Sequence, residues 1–307
     1  MWIATSTDEI QKPTAIALGN FDGIHQGHRV VLQPILNSSD NSIYPSVVSF
    51  TPHPKEFFTG SSIQLLTPVA EKAEYLATLG IQQLVLLPFD RELANLDPEQ
   101  FVAEVLVKQL QVSLISVGED FRFGYQRKGH AIDLQNIAAK FKIPVKINSL
   151  CKCTENSNIN SPKKIRISSS LIRQALAQGD ISQANEMLGR PYCLMGKVIQ
   201  GQQLGRTIGF PTANLQLPPD KLLPLHGVYA VKVKFDNSVI KGVMNIGSRP
   251  TVSGKQVTVE VHLLNWSGNL YDQNLTVYLT RFLRPEQKFD SLDALKKQIA
   301  IDCQSAW

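Results

Sequence analysis

No apolar run in this chain approaches the roughly 20 residues that a membrane-spanning helix needs. The most apolar stretch is Leu84-Val85-Leu86-Leu87-Pro88-Phe89. The N-terminus, Met1 to Glu9, lacks a basic segment followed by an apolar one, so no signal peptide is expected, and the expected compartment is the cytosol. Four cysteines in 307 residues are too few for a disulfide scaffold. Cys151 and Cys153 have the spacing of half a zinc site, but no second Cys/His pair sits at a matching spacing, so reduced, structurally incidental thiols are expected. Charge is sparse too. Charged residues make up 19% against 43% hydrophobic, and the net charge is +5. That is globular material without the dense Lys/Arg face of a nucleic-acid binder, yet mildly suited to small anions. Internal repeats are missing, and so is the GKS/T ending of a Walker P-loop.

The length favours two domains, and the pattern changes once along the chain. Up to about residue 150, apolar strand candidates at 14–18, 45–50, 84–88, 114–118 and 143–149 alternate with amphipathic helices. Thr67-Pro68 is the expected start of one helix, with Thr67 as N-cap, and Gly80 its stop. Asp97-Pro98-Glu99-Gln100 opens another with a capping box, followed by the stripe Phe101, Val105 and Leu106. Alternating strands and helices predict a parallel sheet covered on both faces. Residues 154–162 read as a polar loop, and two short helices follow: Ser168 or Ser169 to Gly179, then Asp180 to Gly189. From residue 192 strand patterns at 192–199, 227–235, 238–244, 256–264 and 274–280 predict a small closed barrel or sandwich, ended by a helix from Ser291 to Cys303. The expected boundary gives domains 1–182 and 183–307.

The first chemical signal is Gly19-Asn20-Phe21-Asp22-Gly23-Ile24-His25-Gln26-Gly27-His28, directly after the first apolar run. A Gly-rich turn there aims backbone N–H groups and a helix N-terminus at an anion. His25 and His28, three apart, can face one ligand and stabilise charge in nucleotidyl transfer, and Gly27 leaves the backbone bare. Arg166-Ile167-Ser168-Ser169-Ser170-Leu171-Ile172-Arg173 supplies hydroxyls at a helix start between two arginines, a second anion cradle. Ser49-Phe50-Thr51-Pro52-His53-Pro54 and Val117-Gly118-Glu119-Asp120-Phe121-Arg122-Phe123-Gly124 each follow a strand, where Phe and Pro can hold an aromatic ring and Asp120 its polar edge.

The second signal is Gly201-Gln202-Gln203-Leu204-Gly205-Arg206-Thr207-Ile208-Gly209-Phe210-Pro211-Thr212-Ala213-Asn214. Thr212 and Asn214 are hard oxygen donors on one face of an extended segment, suited to Mg²⁺ holding ATP phosphates, and Arg206 can neutralise phosphate charge. Gly242 to Thr251 reads as a turn. The strand Val257 to Leu264 carries Glu260, a candidate base for an alcohol under phosphorylation.

GNFDGIHQGH, SFTPHP, VGEDFRFG and RISSSLIR together resemble the adenylyltransferase module of prokaryotic bifunctional riboflavin kinase/FAD synthetases. GQQLGRTIGFPTANL, HGVYAV, GVMNIGSRPT, VEVHLL and LRPEQKFDSLDALKKQI resemble its riboflavin kinase module, collinearly from about residue 14 to 303. The resemblance implies a Rossmann-like HxGH nucleotidyltransferase domain, then a six-stranded antiparallel β-barrel with a C-terminal helix. It implies ATP- and Mg²⁺-dependent phosphorylation of riboflavin to FMN with release of ADP, and adenylylation of FMN to FAD with release of pyrophosphate. Carried over residue by residue, it puts adenylyltransferase ATP contacts at Gly19, Phe21, Gly27, Arg166, Ser168, Ser169 and Arg173, with His25 and His28 catalytic, and FMN contacts at Pro52, Pro54, Asp120 and Phe123. It puts kinase ATP contacts at Gly201, Gly205, Arg206, Gly209, Pro211, Thr212 and Asn214, Mg²⁺ on Thr212 and Asn214, the base at Glu260, and Arg284 in a loop closing on flavin. Thr51, Asp120 and Ser170 depart from the common Asp, Asn and Thr. A nucleotidyltransferase for nicotinamide mononucleotide or phosphopantetheine would leave the second half unexplained. A binding regulator without catalysis would not need His28, Thr212, Asn214 and Glu260. Neither a membrane nor a nucleic acid is an expected partner.

Overall fold

Strand β2, Thr14–Leu18, is buried along its whole length, and its side chains divide by parity. Ile16 and Leu18 enter one apolar cluster, Ala15 and Ala17 the other. A strand covered on both faces belongs in the middle of a parallel sheet, and each Ile or Leu so buried contributes about 1.5–3 kcal/mol. The computed structural model bears this out. It describes residues 1–306 except 38–39, 41, 150, 156–162, 202–203 and 252–253. The chain divides into two compact units, Met1–Ser169 and Ser170–Trp307.

In the first unit six parallel strands run in the order β1-β4-β3-β2-β5-β6. They are β1 Trp2–Ala4, β2, β3 Tyr44–Thr51, β4 Gln83–Pro88, β5 Val112–Gly118 and β6 Val145–Asn148. From β2 the chain steps outward to β3 and β4, then returns to place β5 on the other side of β2. That reversal makes a topological switch point at the carboxyl ends of β2 and β5, where open α/β sheets bind ligands. Helix α1 Gln26–Leu36 connects β2 to β3, and α2 Pro54–Thr59 with α3 Val69–Thr78 connects β3 to β4. Edge strand β1 has only three residues, too short for a periodic signal. The Asp97 capping box forms as expected, and its helix continues as a π-helix over Phe101–Gln109.

Two expectations change here. Thr67 does not cap α3; Pro68 stands at that position, and the Thr67 hydroxyl accepts from the Gly23 N–H at 2.9 Å. The polar loop expected at 154–162 begins as a strand, because Lys152–Glu155 pairs antiparallel with Lys163–Arg166; residues 156–162 lie outside the described ones.

In the second unit the helices Ser169–Gln178 and Ile181–Leu188 lead into a closed antiparallel barrel. The Asp180 side chain caps the second at 2.9 Å, and Gly189 ends it in a left-handed conformation. The barrel order is β7-β8-β11-β10-β9-β12, from β7 Cys193–Ile199, β8 Ala213–Gln216, β9 Gly227–Phe235, β10 Ser238–Thr251, β11 Gly254–Leu263 and β12 Asn274–Arg284. The C-terminal helix, Leu292–Ser305, is capped by Ser291. The segment 242–251, expected as a turn, is instead strand, paired with β11 from Gly242↔Leu263 to Thr251↔Gly254. Its alternation decided the outcome: Met244 and Ile246 are buried in the core, while Asn245 and Gly247 point the other way.

Candidate functional sites

In the first unit four separated motifs meet at the switch point. The turn after β2 is sharply wound, with positive φ at Phe21, Gly23 and Ile24. Its donors and acceptors are tied down from several sides. The Asn20 carbonyl accepts from Lys72 Nζ at 2.8 Å and from the Ser49 hydroxyl at 3.2 Å, and the Asn20 amide lies 3.0 Å from His53 Nε2. The Asp22 carboxylate accepts from the Thr67 N–H at 3.2 Å, and the Asp22 carbonyl from the Ser169 hydroxyl at 2.8 Å. Arg166 and Asp120 form an ion pair, each about half exposed. Thus Gly19–His28, SFTPHP, the loop after β5 and the serine cradle converge, as their positions at strand ends predicted. Ser168 precedes the helix Ser169–Gln178, while Arg173 falls in the second unit, on that helix.

His25 and His28 stack with ring centroids 3.7 Å apart. His25 is buried and serves as N-cap of α1, its Nδ1 accepting from the His28 N–H at 3.2 Å. A nitrogen that accepts carries no proton, so in this arrangement His25 is neutral and the ring proton lies on Nε2. Two parallel imidazoles at this distance could not both be charged without strong repulsion. Gly27 has a reason beyond ligand approach: a Cβ there would come within 3.2 Å of the His25 ring. The Phe21 ring packs edge-on to His28 at 5.1 Å, and Gly19 contacts that ring.

Pro52 is exposed and Pro54 half-buried. Phe123 is buried in the core against Phe101, and Phe121 stacks on it with centroids 5.8 Å apart. Beside Pro54 the structure adds aromatics that the sequence pattern did not single out: Phe57, Phe58 and Phe89 pack mutually, and Phe58 is 70% exposed. An aromatic ring left open next to a loop at a strand end was the available signal. Lys72 was missed as well. It shares a helical stripe with buried Leu76, and a lysine on a core stripe is unusual. Only 6% of it is exposed, and burial pulls its pKa down to about 8, partly offset by the Asp22 carboxylate.

In the second unit Thr212 immediately precedes β8, whose Asn214 pairs with Glu260 of β11, and Glu260 pairs on its other side with Asn245 of β10. The Thr212 hydroxyl lies 3.2 Å from Glu260 Oε2 and donates to it. Val259 and Val261 enter the core, so Glu260 and its two asparagine neighbours lie on the opposite face of the barrel wall. Asn245 was missed because its segment read as a turn. Gly201 permits close approach: a Cβ there would collide with the Asn214 amide. Gly205 likewise abuts the Phe210 carbonyl. Arg206 lies exposed on a single helical turn, Leu204–Thr207, Gly209 has φ +87°, and the Pro211 carbonyl lies 2.8 Å from His262 Nδ1. Gln202 and Gln203 are outside the described residues. Arg284 is the last residue of β12 rather than part of a loop. Its guanidinium forks onto buried Asp302 of the C-terminal helix at 2.7–3.1 Å, and the guanidinium carbon lies 5.7 Å from the Phe289 ring centroid.

A parallel α/β unit with stacked imidazoles at its switch point, followed by a barrel with a Thr–Glu–Asn face, is the build of a two-domain nucleotidyltransferase and kinase. The FAD synthetase family model matches residues 7–163 and the riboflavin kinase model residues 188–307. The bifunctional riboflavin kinase/FMN adenylyltransferase of Escherichia coli K12 is 40% identical over 95% of this chain and 91% of that protein. The namesake from Haemophilus influenzae is 38% identical over 98% and 96%. The crystal structure of a macrolide-efflux protein from Streptococcus pneumoniae matches with a TM-score of 0.83 and 29% identity, covering 99% of this chain and 97% of that one. That likeness concerns architecture; among the described residues no helix is long and apolar enough to cross a membrane. The chain belongs to the bifunctional riboflavin kinase/FMN adenylyltransferase family. Both activities use ATP, generally with a divalent metal.

Proposed function

We propose that the barrel phosphorylates riboflavin at Glu260 and that the parallel-sheet unit adenylylates the resulting FMN at the Gly19–His28 turn, with the boundary between 182 and 183. The observation that carries the reading is the side-by-side setting of a carboxylate and two neutral oxygen donors: Thr212 hydrogen-bonded to Glu260, and Glu260 in register with Asn214. Alcohol phosphorylation needs that combination. Glu260 accepts the proton of the terminal ribityl hydroxyl as its oxygen bonds to the γ-phosphorus, and the bond to the β-phosphate oxygen breaks to release ADP. Thr212 and Asn214 fit a Mg²⁺ ion by donor type, and bound there it would offset charge on the ATP phosphates. Gly201, Gly205, Arg206, Gly209 and Pro211 line the phosphate side. Arg284 orders the end of β12 and the C-terminal helix toward flavin.

In the other unit an FMN phosphate oxygen attacks the α-phosphorus of ATP and pyrophosphate leaves. The nucleophile is already anionic, so donors matter more than a base. His28 and His25, the turn residues Gly19, Phe21 and Gly27, and Arg166, Ser168, Ser169 and Arg173 are the proposed ATP contacts. Pro52, Pro54, Asp120 and the Phe121–Phe123 pair, with the Phe57–Phe58–Phe89 cluster, are proposed to hold FMN. The proposed compartment is the cytosol, and the proposed small-molecule partners are riboflavin, FMN, FAD, ATP, ADP and pyrophosphate. Chromatography after incubation with riboflavin, ATP and Mg²⁺ tests the reading. FMN appearing first and FAD after it supports both sites; FMN without FAD removes the adenylyl site, and neither product removes the kinase site, after which FAD formation from supplied FMN decides the adenylyl site.

A further inference from the structure

A lysine head group is seldom fully buried, because removing its charge from water is expensive unless something nearby uses it. Lys72 is buried on α3 although Met or Leu would pack on the same stripe without that penalty. Its Nζ reaches the Asn20 carbonyl at 2.8 Å, within the turn that follows β2 at the switch point. The groups of variable charge around that turn are Asp22 within it, Glu71 beside Lys72 on α3, His25 and His28 at the start of α1, and His53 before α2. The Asp22 carboxylate partly offsets the cost of burying the Lys72 ammonium. Asp22 has further partners, since the Thr67 N–H donates to its carboxylate.

We propose that Lys72 is a positioning residue for adenylyl transfer: its buried ammonium, seated under the Asn20–Gly23 turn, fixes that turn and supplies positive charge behind the phosphates bound on its outer side. This rests on the reading that the Gly19–His28 turn takes the ATP phosphates. A neutral amine can still donate to the Asn20 carbonyl, so loss of charge and loss of geometry are separable. Because the folded pKa of about 8 lies below the ordinary 10.5, the ammonium is lost within the mildly basic range. The two possible roles then have opposite signs. Between those values the unfolded chain holds the proton more tightly, so this group's contribution to folding stability rises with pH. Its contribution to phosphate binding falls over the same window.

The test measures FMN adenylylation and riboflavin phosphorylation in the same full-length protein across about pH 7 to 9.5, with the kinase reaction as reference for ATP and metal ionisation. In the wild type, adenylylation relative to phosphorylation is expected to fall above pH about 8, approaching tenfold per unit. Lys72→Met is expected to lower adenylylation at least tenfold with no such fall remaining, and to leave phosphorylation unchanged. Lys72→Arg, charged throughout, is expected to restore part of the rate without the basic limb. Parallel wild-type profiles for the two reactions overturn the proposal, and they do so even if Lys72→Met fails to fold. Loss of adenylylation in His28→Ala with near-normal adenylylation in Lys72→Met overturns the Lys72 role alone. Full activity in both variants overturns the site reading and the proposal with it.

Discussion

The two sites solve related phosphorus chemistry with opposite materials. In the parallel-sheet unit the site is a strained turn whose shape is dictated from below, by Lys72, Thr67, Ser49 and Ser169 bonded to Asn20, Asp22 and Gly23. In the barrel it is a row of side chains on one face of the wall, Asn245, Glu260 and Asn214, aligned by ladder register, with Thr212 hydrogen-bonded to Glu260. The first has imidazoles and backbone donors; the second has a carboxylate. On the proposed assignment of the two reactions the difference follows the nucleophile, since a phosphate arrives ionised and an alcohol must lose a proton. A rigid sheet can set a base with one side chain, whereas a phosphate-cradling turn needs a frame of buried polar contacts.

Glu260→Gln breaks the comparison most sharply. Glutamine preserves size and hydrogen bonding but cannot take the proton, and loss of a general base costs about 10²–10⁴-fold. Riboflavin phosphorylation is expected to fall by that factor with little change in riboflavin affinity, while FAD synthesis from supplied FMN stays near wild type. Steady-state rates of the two half-reactions check it; normal kinase turnover would leave positioning and metal to explain the step. His28→Ala is the reciprocal change and comes next in size. Removing one preorganised donor costs about 10²–10³-fold. FAD formation is expected to drop by that much while phosphorylation continues, and equal loss of both activities in a folded protein would argue against separate sites.

How legible each site was in the sequence follows from the same contrast. In the barrel, Thr212 and Asn214 read as one face of an extended segment and Glu260 as part of a strand, but the β8–β11 ladder that brings them together joins segments far apart in sequence and was not legible. Asn245 was hidden because Gly, Ser and Pro in 242–251 imitate a turn, and only the parity of Met244 and Ile246 reveals a strand. In the other unit the outward motifs were legible, but the frame beneath them was not. Thr67 read as a helix cap and Lys72 was not singled out, since nothing local says that α3 returns under the turn. Arg284 was placed in a loop by the family resemblance alone, yet Asp302, 18 residues further on, holds it at a strand end.

The units should also separate, which tests whether either site depends on the other. A fragment starting at residue 183 is expected to fold and phosphorylate riboflavin. It lacks Asp180, which caps the Gln183 N–H, and buried Ile181. A fragment starting at 180 keeps both and is expected to be more stable by about 2–4 kcal/mol, from a cap worth about 1 and an apolar side chain worth about 1.5–3. Thermal melts of the two fragments measure the difference. A soluble, folded but inert fragment from either start would make the sites interdependent.

The smallest effect expected lies where the frame is exposed. Asp120 pairs with Arg166, both about half open to solvent, and such pairs contribute under about 1 kcal/mol. Asp120 nonetheless puts a negative charge at a site proposed to take two polyanions, and it occupies a guanidinium that a phosphate would use. Asp120→Asn keeps the hydrogen bond in place and removes the charge. The KM for ATP in FAD synthesis is therefore expected to fall, by no more than about fivefold at low salt. The gain should fade as ionic strength approaches 0.1 M or more, where screening acts over about 10 Å. Kinase kinetics should not move. A rise in KM would mean that Asp120 aims Arg166 at the nucleotide rather than competing for it, and the exposed pair would then join the buried frame as part of what shapes the turn.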